Sequence, residues 1–332
     1  MTSEATRRAE AFVAERLVEA RGLGQSLADL IDDPEAFVDV LRDGFERLAD
    51  GDDATALERI TPGAGPLIGV RWPLVRAVAN QLRGPLDEGS ASSALWLAQR
   101  LAEEQEHEVR LFSHVPLRRS LADDPERSWQ LMRRLAATAT DWTAVDSLAD
   151  LYARGILADR RRWAELEQLV YSPRRWERRL VGSTLATLPH RLPSHERHAL
   201  AGAPALRLIE SLIGDDEPDV QKALGWALRA WHQVDSQGTI ALLRAQAARA
   251  SRDDDGHRAW VVRDALSLPG MDRRLVLELR DQMQGVRRRP AAPATSEARS
   301  IAAAFGGYEA VSQQAIDIQG QRMAASARRG VR

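Results

Sequence analysis

The sequence predicts an all-α chain of stacked helical hairpins, and three observations carry that prediction. Apolar residues recur at three- and four-residue intervals almost throughout, as in ALWLAQRLAEE and LGWALRAWHQV, which is the period of one helix face. Alternating valine-rich runs of the strand type are absent. Breakers fall at short intervals, at Pro34, Pro62-Gly63, Pro85, Pro116, Pro125, Pro173, Pro193, Pro204, Pro218 and Pro269-Gly270.

The elements follow from local chemistry. Asp33-Pro34 and Asp124-Pro125 mark helix starts, because proline suits the first turn and aspartate can accept its orphan N–H groups. Between breakers the helices run to roughly 10–18 residues. From about Ser90 to Gln284 they pair as hairpins. Such a pair cannot bury an apolar face alone and must stack on the next, giving an α-solenoid of the HEAT type. A bundle of the same helices is the alternative. After Gln284 the stretch GVRRRPAAPATSEA lacks an apolar face and reads as a linker. The expected division is therefore a repeat domain over 1–285, then 286–332 as linker plus a short helical or partly disordered tail. A helix from Ser296 to about Arg328, ending in the basic ARRGVR, is expected there.

At 332 residues, 44% hydrophobic and 28% charged, the chain has the composition of a globular protein. No stretch approaches the roughly 18 uninterrupted apolar residues of a membrane span, and MTSEATRRAEAF has no apolar signal core. Zero cysteines exclude disulfides, a thiol nucleophile and thiolate metal sites, and the cytoplasm is the expected compartment. The net charge of −2 means that nucleic-acid binding needs a segregated basic face. Lys222 is the only lysine, so arginine supplies every other side-chain cation except histidine.

The seven histidines are His107, His114, His190, His195, His198, His232 and His257. They form no HExxH, and His195/His198 lack an acidic third ligand at helical spacing, so neither metal nor cofactor is expected. No phosphate-binding glycine loop or nucleophile elbow occurs. Tryptophan beside charge is what stands out, with nine Trp against five Phe and three Tyr. In DWTAVDSLAD, Trp142 and Asp146 are four apart and share one helix face. A carboxylate there faces a cleft, is paired, or is a surface acid beside a core Trp. In SPRRWERRLVGSTL, Arg174, Arg175, Arg178 and Arg179 surround Trp176 with only Glu177 against them. Such a run is either a solvated face or an anion-binding one. In DVQKALGWALRAWHQV, Trp226 has Lys222 at i−4 and Arg229 at i+3. Gly225, in an otherwise good helix, costs up to about 1 kcal/mol against Ala unless a backbone or ligand approaches closely.

Together these segments resemble the DNA alkylation repair glycosylases of the AlkD type, over roughly residues 30 to 270. LIGVRWPLVRAV (67–78) is similar to that family's Gly-hydrophobic-basic-x-Pro segment, with Arg71 as the basic residue. WTAVD resembles its Trp-x-x-x-Asp catalytic element, except that Thr143 stands where an acid is common. WERR resembles the helix carrying a lesion-side arginine, here Arg179, and VQKALGWALR the helix carrying the second aromatic, Trp226.

The resemblance implies a right-handed HEAT-like superhelix with a concave DNA-binding face. It implies a monomeric, monofunctional glycosylase acting on double-stranded DNA that contains cationic N3- or N7-alkylated purines, including bulky ones, without extruding the base. Asp146, Trp142, Trp226 and Arg179 are then the catalytic group, and Arg178, Arg175, Lys222, Arg229 and Arg71 the DNA-binding cations. Localisation is expected in the bacterial cytoplasm at the nucleoid. The rival readings are a non-catalytic HEAT-like protein binding branched or distorted DNA, and a HEAT-type protein-interaction scaffold.

Overall fold

A computed structural model describes residues 4–304 of the chain. Among these residues there are eighteen α-helices and no strand, as the helical period requires. Two compact units divide at Ala158 and Asp159.

The first unit holds α1 (Glu4–Ala28), α2 (Pro34–Leu48), α3 (Gly51–Ile60), α4 (Trp72–Gln81), α5 (Arg83–Glu88) and α6 (Ala91–Ala102). It continues through α7 (His107–Phe112), α8 (His114–Asp123), α9 (Pro125–Thr138) and α10 (Trp142–Ala158). Both expected Asp-Pro starts are present. Asp33 accepts from the Ala36 amide at 3.2 Å and Asp124 from the Arg127 amide at 3.3 Å. The core of α1, α2, α4, α6 and α7 is built on Phe37, Leu41, Phe45, Leu74, Leu97 and Phe112. Phe45 and Phe112 meet edge to face at 5.8 Å. Each fully buried side chain of this size stabilises by about 1.5–3 kcal/mol. In α10, Gly155 leaves room for the Trp129 ring, which a Cβ would approach to 2.5 Å.

The second unit holds α11 (Trp163–Val170), α12 (Arg175–Thr187), α13 (Gly202–Leu212), α14 (Pro218–His232), α15 (Ser236–Arg252), α16 (Gly256–Ala265), α17 (Arg273–Gln282) and α18 (Glu297–Ala304). Helices α12, α14 and α16 pack successively as one layer, and α11, α13, α15 and α17 as another. That alternate-helix stacking is the hairpin-repeat arrangement predicted from the breakers, and it disfavours a bundle. The α12–α14 seam is close because Gly182 faces Ala223, whose Cβ a side chain there would approach to 2.8 Å. Trp231, fully buried, donates from Nε1 to the Leu185 carbonyl at 2.9 Å.

Residues 286–304, set apart from the repeats in the sequence reading, are held on this second unit. His257 Nε2 donates to the Ala292 carbonyl at 3.0 Å, and the Thr295 amide to the Gly214 carbonyl at 2.8 Å. Ala298 and Ala302 of α18 are buried, and α18 packs on α13. The remainder of the expected tail helix, and the basic ARRGVR, lie outside the described residues.

Candidate active site

Asp146 and Trp142 stand one turn apart on α10 and line the same cleft in the first unit, of about 880 Å³. Ala9, Val13 and Leu17 of α1, Leu57 of α3, Val70, Trp72 and Pro73 at the start of α4, and Leu111 of α7 give it mostly apolar walls. Glu10, Asp53, Glu108 and Asp146 line it as carboxylates, against Arg71 and His107. Trp142 is half-buried rather than a core residue, and its indole Nε1 donates to the Ile60 carbonyl at 2.7 Å, which fixes the ring plane.

The first turn of α10 is fastened by Asp141, whose Oδ1 accepts from the amides of Thr143 at 2.9 Å and Ala144 at 3.0 Å. The Thr143 hydroxyl donates to the same oxygen. Its single proton being spent, His107 Nε2, at 2.8 Å, is the donor to Thr143 Oγ1, and Nδ1 faces Arg110 Nη2 at 3.4 Å. Burial above all holds this imidazole below its ordinary value of 6.5, with the Arg110 charge adding and the Asp141 charge opposing. Burial likewise pushes His114 down to about 4.

A proton on either ring binds better to the unfolded chain. The contribution of these histidines to stability is thus full above about pH 6.5 and is lost as pH falls from there towards about 4. Thermal unfolding between pH 7.5 and 4.5 is expected to show that loss. His107→Gln, which stays neutral throughout, is expected to flatten part of it. An unaltered slope in His107→Gln would remove His107 from the account.

Glu108 organises the opposite wall. Its buried carboxylate accepts from the amides of Ile68 at 3.0 Å, Gly69 at 2.6 Å and Val70 at 3.3 Å. Gly69 has φ +89°, and a Cβ there would lie 2.7 Å from both the Ala54 methyl and the Asp50 carbonyl, so only glycine fits. The next residue but one, Arg71, is clamped by Asp50 at 2.7 Å and Asp53 at 3.2 Å. Its charge is engaged inside the unit. Glu108→Ala strips three amides of their acceptor, those of Gly69 and Val70 buried and that of Ile68 partly so, and is expected to cost about 2–4 kcal/mol. Urea unfolding of the variant beside wild type measures it.

The second unit carries the other expected residues. Arg178, expected on the DNA-binding face, is a core cation at 1% exposure. It meets Asp215 through Nε at 2.7 Å and Nη2 at 3.4 Å, while Nη1 donates to the carbonyls of Ser172 and Pro173 at 2.9 and 2.8 Å. That removes it from phosphate contact. Arg179 is buried too, donating from Nη1 to the Asp219 carbonyl at 2.7 Å. Arg175 is exposed, stacked on Trp176 with its guanidinium 4.8 Å from the ring centroid, and 3.6 Å from Glu217. Lys222 is also exposed, 3.8 Å from Asp219. Trp226 is half-buried on α14, one turn after Lys222. Arg229 is held by Asp264, whose Oδ2 accepts at 2.5 Å and whose carbonyl accepts at 2.8 Å. The close approach expected at Gly225 is that same Asp264 carboxylate, 2.0 Å from where a Cβ would stand, rather than a backbone or ligand.

The sequence profile of the DNA alkylation repair enzyme family matches residues 41–267. The chain belongs to that family. Among solved structures, a predicted DNA alkylation repair enzyme from Enterococcus faecalis is similar to this chain. It is 14% identical over 59% of this chain and 89% of its own, with a TM-score of 0.48. None of the curated proteins compared with the chain matches it. Membership in the DNA alkylation repair family makes DNA the substrate to which the cleft and cations must be related. The match begins at residue 41, after α1, whose residues line one side of the Asp146 cleft.

Glu108 and His107 escaped sequence reasoning. Their partners lie 36 to 40 residues away, and no local spacing marks them. Among the described residues, no group of three or more His, Cys, Asp or Glu could hold a metal ion. No described helix is long and apolar enough to cross a membrane.

Proposed function

We propose that this repair-family protein is a monofunctional DNA glycosylase that hydrolyses the glycosidic bond of cationic N3- or N7-alkylated purines. The observation that carries the reading is Asp146 beside Trp142 on the wall of a largely apolar cleft.

Alkylation at N3 or N7 leaves the purine positively charged, so it departs without help from a general acid. The C1′–N bond breaks, its electron pair neutralises the base, and positive charge develops on the sugar. A carboxylate placed on a largely apolar wall stabilises that charge with little reorganisation. Asp146 fills this role and orients the water whose oxygen bonds to C1′, the proton passing to the carboxylate and then to solvent. The Trp142 ring, fixed by Ile60, presents a face that attracts cationic groups. Trp226 supplies a second aromatic surface, and the alkylated base stays stacked in the duplex. Arg175 and Lys222, the exposed cations of the second unit, hold phosphates, with Arg229 and Arg179 as fixed charges. The protein acts as a monomer on the nucleoid in the cytoplasm.

The test is release of free 7-methylguanine and 3-methyladenine from methylated duplex DNA, with retention on unmodified duplex measured against salt. Released purines together with salt-sensitive retention support the reading. Retention without release would make this a non-catalytic DNA binder, and neither would leave the protein-scaffold reading.

A further inference from the structure

Residues 286–296, expected from the sequence to be a linker, are a strap pinned along the second unit. Arg263 of α16 sets its near end, its Nη2 donating to the carbonyls of Met283 at 2.6 Å and Val286 at 2.8 Å. The Ala292 carbonyl and the Thr295 amide hold its far end, and the Thr295 hydroxyl also donates to Asp255. Between these anchors Pro290 and Pro293 restrict the chain further. A segment fixed in this way has little conformational entropy left to lose on meeting a partner. What it carries is Arg287, Arg288 and Arg289 in succession.

The strap delivers one of these cations to a tryptophan. On α14 the residue one turn before Trp226 is the exposed Lys222, whereas on α16 the residue one turn before Trp260 is Gly256. Its missing side chain lets the strap lie there, because a Cβ would stand 2.5 Å from the Arg288 Cα and closer still to the Arg287 carbonyl. From that seat the Arg288 guanidinium comes 5.9 Å from the centroid of the Trp260 ring. Three successive helices of one layer, α12, α14 and α16, thus each carry a half-buried tryptophan with a cation over it or one turn away. These are Arg175 at Trp176, Lys222 at Trp226 and Arg288 at Trp260, the last supplied by the strap.

The charge on the strap is available. Arg249 and Arg252 engage Asp253, Arg258 engages Asp255, and Arg289 engages Asp254 at 2.7 Å. Among the described residues neither Arg287 nor Arg288 has a carboxylate within ion-pairing distance. Arg287 is exposed. Arg288 is half-buried, with its Nε enclosed and without an acceptor while its two outer nitrogens are open to solvent. Two guanidinium groups without carboxylates of their own, side by side on a fixed strap, fit the successive anions of a phosphodiester backbone.

We infer that residues 286–296 form a DNA strap in which Arg287 and Arg288 bind backbone phosphates of the duplex. The inference rests on DNA being the substrate of this protein. The strap lies beyond residue 267, where the match with the family profile ends. Phosphate contacts of this kind set affinity and register and read no sequence.

Binding of the full-length protein to unmodified duplex DNA, measured against salt concentration, tests this. Each phosphate contact adds roughly 0.9 to the steepness with which log K falls against log salt. Arg287→Gln/Arg288→Gln is expected to lower that steepness by about two and to weaken binding at low salt at least about tenfold. Arg287→Lys/Arg288→Lys keeps both charges and is expected to keep the steepness. Arg274→Gln, exposed on α17 in the other layer, is expected to leave binding where it was. Should the glutamine pair unfold at a lower temperature than wild type, the exposed Arg287→Gln alone carries the test, with an expected change of about one.

A wild-type salt dependence in the glutamine pair overturns the inference and leaves DNA as the substrate. So does an equal loss in the lysine pair, which would make the two arginines props of the strap rather than phosphate ligands. Failure of the wild-type protein to bind duplex at any salt concentration rejects the DNA reading, and the strap's role with it.

Discussion

Asp146→Asn is expected to lower the single-turnover release of 7-methylguanine and 3-methyladenine by about 10²–10³-fold, the usual cost of removing one fixed stabilising group at a developing charge. The substitution keeps the side-chain shape and takes away only the negative charge, so binding of methylated duplex is expected to change little. The half-saturating protein concentration should therefore stay near wild type while the maximal rate collapses. A fall in affinity with an unchanged maximal rate would make Asp146 a positioning residue. Release that persists undiminished would reject the assignment while keeping the reaction. Trp142→Phe separates the ring from its anchor, because phenylalanine cannot donate to the Ile60 carbonyl. Its rate is expected to lie between wild type and Asp146→Asn.

The second large effect concerns stability. Arg178→Met is expected to destabilise the second unit by about 3–5 kcal/mol, since it leaves the Asp215 carboxylate buried without its cation. The backbone carbonyls of Ser172 and Pro173 lose their donor as well. A two-unit chain can unfold in two steps, and the shift is expected in one step only. The double variant Arg178→Met/Asp215→Leu is expected to recover much of the loss, because removing both partners of a buried pair is often nearly neutral. If Arg178→Met unfolds like wild type but weakens DNA retention, Arg178 is a phosphate ligand after all.

Arg178 also shows where reading the sequence stops. Four arginines within six residues look like one basic face, yet burial divides them, with Arg175 outside and Arg178 and Arg179 inside. Helical spacing places a residue on a face but does not say what packs on that face. What lies there is the turn carrying Asp215, 37 residues on. Features set within one or two turns were legible, including the Asp33-Pro34 and Asp124-Pro125 starts and the shared face of Trp142 and Asp146. At Gly225 the signal was legible and the cause was not, since a helical glycine announces a close neighbour without naming Asp264. The α1 wall of the cleft was illegible for the same reason as the Glu108 clamp, because both are made by tertiary packing between distant segments.

The exposure of Lys222 makes it a single-site chemical reporter. An amine-directed acylating reagent finds one reactive side chain in the whole sequence, on α14 one turn from Trp226. Trypsin cuts the unreacted protein after Arg207, Lys222 and Arg229, whereas acylation of Lys222 leaves residues 208–229 as one peptide. The yield of that peptide, with and without duplex, is an occupancy measurement at one position of the second unit. It reads DNA contact there without changing any residue.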